Sequence, residues 1–99
     1  MSPGDDYQVV NSGKVAEQFR RLADDARVAG RLPVFLRAAR WVMEELARTP
    51  EEFGESWFTL PGSSLVFRRG FARPLYVEYA IDSANRTVYL RRFALGRRT

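Results

Sequence analysis

Apolar residues recur along this chain with two different periods, and the change from one to the other divides it near residue 50. Tyr7-Gln8-Val9-Val10 predicts a short first strand after a loose acidic stretch over 1–6. Asn11-Ser12-Gly13 ends that strand, and Ser12 is placed to cap a helix over 14–29. In that helix Val15, Phe19, Leu22 and Ala26 fall on one face, with Arg20, Arg21, Asp24, Asp25 and Arg27 on the rest. Gly30 suits the left-handed position after a helix C-terminus. A second helix follows with Pro33 in its first turn. Its stripe is Leu32, Leu36, Ala39, Met43 and Leu46, widened by Phe35, Ala38 and Val42 into the broad face of a helix lying on a sheet. Thr49-Pro50 stops it, because the residue before proline avoids the helical region. The short link at Gly30 predicts an antiparallel helical hairpin.

Beyond residue 55 the period is two. Strands are predicted over 56–60 and 64–69, joined through a type II turn at Pro61-Gly62. Further strands over 75–81 and 87–93 are joined by the loop 82–86, with residues 70–74 linking the two pairs. The expected architecture is α+β in the order β-α-α-β-β-β-β, with the helical hairpin on one face of a mostly antiparallel sheet. Alternation assigns Leu65, Phe67, Leu75, Val77, Tyr79, Ile81, Val88 and Leu90 to the helix side. The open side is then expected to carry Arg68, Tyr76, Glu78, Tyr89, Arg91 and Phe93. Arginines interleaved with aromatics suit phosphate contacts with base stacking. They equally suit plain cross-strand pairing, with Glu78 bridging Arg68 and Arg91.

Composition narrows the chemistry. Ninety-nine residues, 45% hydrophobic and 28% charged, fit one domain over 1–99, with 94–99 as a basic tail. The chain has no Cys and no His, which removes disulfides, thiolate metal sites and every catalytic arrangement that needs a cysteine or an imidazole. No metal and no cofactor are expected. The longest uncharged run, 56–67, contains Pro61-Gly62, so no membrane span is expected, and the polar, acidic opening is unlike a signal segment. A soluble, cytoplasmic protein is the expectation. Net charge is +4, and it is unevenly spread. Residues 1–67 hold 8 Lys/Arg against 10 Asp/Glu, whereas 68–99 hold 8 Arg against only Glu78 and Asp82. A basic final third suggests an anionic partner; the plainer reading is an arginine-rich soluble surface.

The segment Arg68-Arg69-Gly70-Phe71-Ala72-Arg73-Pro74-Leu75-Tyr76-Val77-Glu78-Tyr79, with the order of elements around it, resembles the RelE/ParE toxin superfamily. Thr87-Val88-Tyr89-Leu90 and Ala94-Leu95-Gly96-Arg97-Arg98 stand where that family has its last strand and a basic cluster, and Thr49-Pro50 and Phe53-Gly54 resemble the link after its second helix. The resemblance implies a compact fold like that of small microbial ribonucleases and the role of toxin in a type II toxin-antitoxin system. RelE-like members cut mRNA on the ribosome, ParE-like members poison DNA gyrase, and most are neutralised by an antitoxin.

Carried over by position, Arg73, Arg98 and Arg68 are the expected catalytic residues, held on phosphate. Arg69, Tyr76, Glu78, Tyr89, Arg91 and Arg97 are the expected substrate contacts. The RNase branch uses the RNA's own 2′-hydroxyl as nucleophile, so clustered cations can lower the barrier electrostatically. This chain departs from the pattern in having no lysine after Lys14 and no tyrosine after Tyr89. Arginine holds phosphate well but is a poor proton shuttle, with a pKa above about 12. The leading expectation is a ribosome-dependent mRNA endonuclease. The alternatives are a ParE-like toxin acting on gyrase and a non-catalytic interaction domain of the same fold. The expected partner is an acidic, amphipathic antitoxin covering the basic face or lying along the helical hairpin, and self-association stays open.

Overall fold

A computed structural model describes residues 6–96. It contains β1 (Gln8–Val10), α1 (Gly13–Val28), α2 (Leu32–Arg48), α3 (Pro50–Phe53), β2 (Glu55–Thr59), β3 (Val66–Ala72), β4 (Leu75–Asp82) and β5 (Thr87–Leu95). The five strands form one sheet in the order β1-β5-β4-β3-β2. β1 runs parallel to β5 and every other pair is antiparallel. The architecture is α+β, with the α1–α2 hairpin against the sheet.

Local chemistry sets most of the boundaries. The Ser12 hydroxyl accepts from the Val15 N–H at 3.2 Å and starts α1. At its other end the Arg31 N–H bonds the Ala26 carbonyl and the Gly30 N–H bonds the Arg27 carbonyl, with Gly30 at φ +72°. That is a Schellman closure, and it reverses the chain within three residues into α2. Pro61-Gly62 forms the predicted turn, with Gly62 at φ +78° and the Ser63 N–H on the Leu60 carbonyl at 3.1 Å. Pro50 both ends α2 and opens the one-turn α3, which the sequence pattern does not announce.

The core lies between the helices and one sheet face. Phe35, Val42 and Leu46 of α2 meet Leu75, Val77, Tyr79 and Ile81 of β4 and Val88, Leu90 and Phe93 of β5. Phe19 of α1 contacts the rings of Phe35 and Phe93. The buried stripe of α2 is Phe35, Ala38, Ala39, Val42 and Leu46, so the expected inward positions Leu36 and Met43 instead lie exposed. The sheet meets the wide Phe35–Val42 side, and the stripe through Leu36 and Met43 is rotated away from it.

Several face and boundary assignments change once the strands pair. Tyr79 pairs with Leu90 but Glu78 pairs with Arg92, leaving Arg91 as an extra residue in β5. This β-bulge resets the alternation, so Phe93 turns into the core at 4% exposure instead of facing out. Phe67 is aligned with Ala80 and Tyr89 on the open face, and Arg68 is aligned with the buried Tyr79 on the helix side, the reverse of the expectation for both. Gly70 does not interrupt β3. It lies opposite Val77, and the Phe53 ring of α3 occupies the space where a Cβ would project. The β3–β4 hairpin therefore turns only at Arg73-Pro74, joined by a cis peptide bond, and β5 continues through Leu95 into the expected tail.

Candidate functional site

The open face is assembled from four strands. β2 and β3 contribute Trp57, Phe58, Phe67, Arg69 and Phe71, and β4 and β5 contribute Tyr76, Glu78, Ala80, Tyr89, Arg91 and Arg92. A second bulge, at Trp57 between Ser56 and Phe58, keeps two adjacent aromatic rings of the edge strand in edge-to-face contact. Phe58 stacks on Phe67 with centroids 4.6 Å apart and planes 4° from parallel, which is how Phe67 is buried on a face the helices do not cover.

The arginines lie among these rings. Arg69 sits 5.0 Å from the Trp57 ring centre and Arg91 sits 5.2 Å from that of Phe67. Arg92 pairs with Glu78 at 3.2 Å, and the Tyr76 hydroxyl donates to the same carboxylate oxygen at 2.9 Å. Burial, followed by that bond to Glu78, raises the Tyr76 pKa above its ordinary 10.0. Glu78 thus has two partners, and neither is Arg68 or Arg91. Arg92, absent from the expected site, takes the place assigned to Arg91. The sequence held a clue: Leu90 and Phe93 are three apart in a strand of period two, which is the spacing a bulge produces.

Arg68 leaves the open face entirely. Its guanidinium donates to the Glu51 carbonyl at 2.6 Å, to the Gly54 carbonyl, and to Ser56 Oγ at 3.1 Å. Beside it the fully buried Tyr79 hydroxyl donates to the Pro50 carbonyl at 2.8 Å and accepts from the Gly54 N–H at 3.1 Å. Burial raises the Tyr79 pKa, with the nearby Arg68 opposing that shift. These bonds hold the backbone of α3 and its exit against the sheet, and they commit both terminal nitrogens of the guanidinium to it, while the buried Nε has no hydrogen-bond partner among the described residues.

Arg73 is exposed at the tip of the β3–β4 hairpin, bordering a cavity with Pro74, Leu95, Phe35, Asp25 and Arg31. Five residues of extended chain separate it from Arg68, about 16 Å at roughly 3.3 Å per residue. Gly96 reaches the same turn, its N–H donating to the Pro74 carbonyl at 2.7 Å. Arg97 and Arg98 lie outside the described residues. Among the described residues, then, the expected catalytic cations do not converge. The expected substrate contacts Arg69, Tyr76, Glu78, Tyr89 and Arg91 do share one face.

A wide groove of about 730 Å³ opens on that face over Ala80, bordered by Tyr89, Arg91, Ser64, Leu65 and Lys14. No group of three or more metal-ligating side chains is gathered among the described residues, and no helix there is long and apolar enough to cross a membrane. No protein-family model matches the chain, and a search of curated proteins finds no match.

Proposed function

We propose that the chain is a RelE/ParE-like toxin domain that acts on mRNA, with the open face of the sheet as its RNA-binding surface. The observation that carries this reading is the interleaving of Arg69, Arg91 and Arg92 with the partly exposed rings of Trp57, Phe58, Tyr76 and Tyr89 on one face that no helix covers. Guanidinium groups over rings are set to meet phosphate while neighbouring rings stack on bases, the combination that holds single-stranded nucleic acid. The element order and the Arg73-Pro74-Leu75-Tyr76 segment add the resemblance to the toxin superfamily.

Cleavage in this reading falls to Arg73 and the arginines after Gly96, because Arg68 is engaged with backbone carbonyls. With no imidazole in the chain, the rate enhancement comes from charge stabilisation around the scissile phosphate more than from proton transfer. The antitoxin fits as an acidic segment over the same basic face, where it would compete with RNA.

The test is controlled expression in a bacterial host, following growth and transcript integrity together, beside Arg73→Ala and Arg69→Ala/Arg91→Ala. Growth arrest with cut transcripts, lost in the variants while the protein stays folded, is the expected result. Arrest with intact transcripts and failing supercoiling would transfer the reading to gyrase. Soluble, folded protein without arrest would leave a non-catalytic binding domain.

A further inference from the structure

The groove over Ala80 has a construction that the rest of the open face lacks. In the row Phe67–Ala80–Tyr89 a small residue stands between two aromatic ones on adjacent strands. Phe67 and Tyr89 are therefore two strand spacings apart, roughly 9.6 Å between their backbones, and of this row Ala80 and Tyr89 line the groove. The bulge sets Arg91 on the rim, over the Phe67 ring. From the other side comes Lys14. It stands there because β1 stops after three residues at Val10, beside Tyr89, and the chain turns directly into α1.

Charge in the groove is cationic where it is free. Lys14 is exposed and makes no ion pair among the described residues. The single carboxylate bordering the groove, Asp82, is 8% exposed and turned into its own hairpin loop, accepting from the Asn85 N–H at 3.3 Å and the Asn85 side-chain amide at 2.8 Å. A half-exposed phenol, an apolar floor and two cations on opposite rims match one nucleotide: a planar base with an anionic phosphate.

We infer that this groove is a nucleotide-binding notch for single-stranded RNA, in which a base packs on Tyr89 above Ala80 and the adjoining phosphate meets Lys14 and Arg91. The inference rests on the RNA-binding reading and adds Lys14, the chain's single lysine, to the contacts. The notch lies far from the Arg73 turn, at the opposite end of β4. It therefore holds a nucleotide away from the proposed cleavage position and sets the register of the strand across the face.

The experiment titrates the full chain into a fluorescently labelled short polyuridylate at several salt concentrations, with thermal melts confirming that each variant is folded. Tyr89→Ala is expected to weaken binding about 5- to 100-fold with the salt dependence unchanged, the signature of a lost stacking contact. Lys14→Ala is expected to reduce the slope of log affinity against log salt by about 0.7, the value of one phosphate contact on a single strand. Lys14→Arg is expected to restore that slope. Wild-type affinity and slope in both alanine variants, with Arg69→Ala weakened, would overturn the notch and leave RNA binding on the rest of the face. No binding by the wild-type chain would overturn both the notch and the RNA-binding reading.

Discussion

Arg68 and Arg69 are consecutive residues of the same type on the same strand, and they live in different chemical worlds. Arg68 points to the helix side and spends its terminal nitrogens on the carbonyls of Glu51 and Gly54 and on Ser56. Arg69 points to the open side and lies across Trp57. The first ties α3 and its exit to the edge of the core; the second presents charge to whatever covers the sheet. An arginine-rich sequence is therefore not the same thing as an arginine-rich binding surface. Pleat direction and the availability of carbonyl acceptors decide which arginine is structural.

The sharpest way to break this contrast is at the bulge. Phe93→Ala is expected to cost about 3–5 kcal/mol of stability, because its buried ring packs with Phe19 at 5.4 Å. Tyr89→Ala, on the other face and partly exposed, is expected to stay within about 0.5 kcal/mol. Chemical denaturation of the two variants measures both, and comparable losses would mean that the alternation is not reset at Arg91.

The arginine pair itself comes next. Arg68→Ala is expected to destabilise by about 1–3 kcal/mol, since it strips two backbone carbonyls of a charged donor, while leaving them partial access to water. Arg69→Ala is expected to leave the melting temperature nearly unchanged and to lower RNA affinity. Reversal of that pattern, read from melts and binding on the same samples, would exchange the roles assigned to the two residues.

The smallest expected effect is a pH slope. The Tyr79 pKa is raised in the folded chain by burial, so its contribution to stability is fully present below about pH 10 and lost as pH rises through the folded value. Unfolded chains then release a proton that the folded one retains, at up to about 1.4 kcal/mol per pH unit. Tyr79→Phe is expected to be less stable at neutral pH, through the lost bonds to Pro50 and Gly54, and to show a shallower decline above pH 10. Tyr7 and Tyr76, raised in the same direction, keep the decline from vanishing. Parallel stability curves for variant and wild type would remove Tyr79 as a source of the slope.

Much of the fold is legible along the chain because its determinants are local. Ser12 caps α1 with its own side chain, Gly30 supplies the left-handed residue that reverses the chain, and Pro61-Gly62 makes its turn from two residues. The helical periods and the strand order of types follow from spacing alone, so the α+β plan is written in the pattern. The candidate site is less legible. Tyr76, Glu78, Tyr89 and Arg91 share a face as alternation requires, but Phe93, Phe67 and Arg68 do not lie where it places them.

Those three residues depend on information that no neighbour in the chain carries. Whether Arg91 is an ordinary strand residue or an extra one is decided by its pairing with β4. Whether Arg68 can sit on the helix side is decided by α3 and its exit, where the carbonyls of Glu51 and Gly54 receive it. Gly70 appears in the chain as a break and in the fold as the space for Phe53. Period, caps and turns act over three or four residues and can be read there. Register, bulges and the partners of a buried cation are settled between segments far apart in the chain, where only packing and hydrogen-bond satisfaction choose among the alternatives.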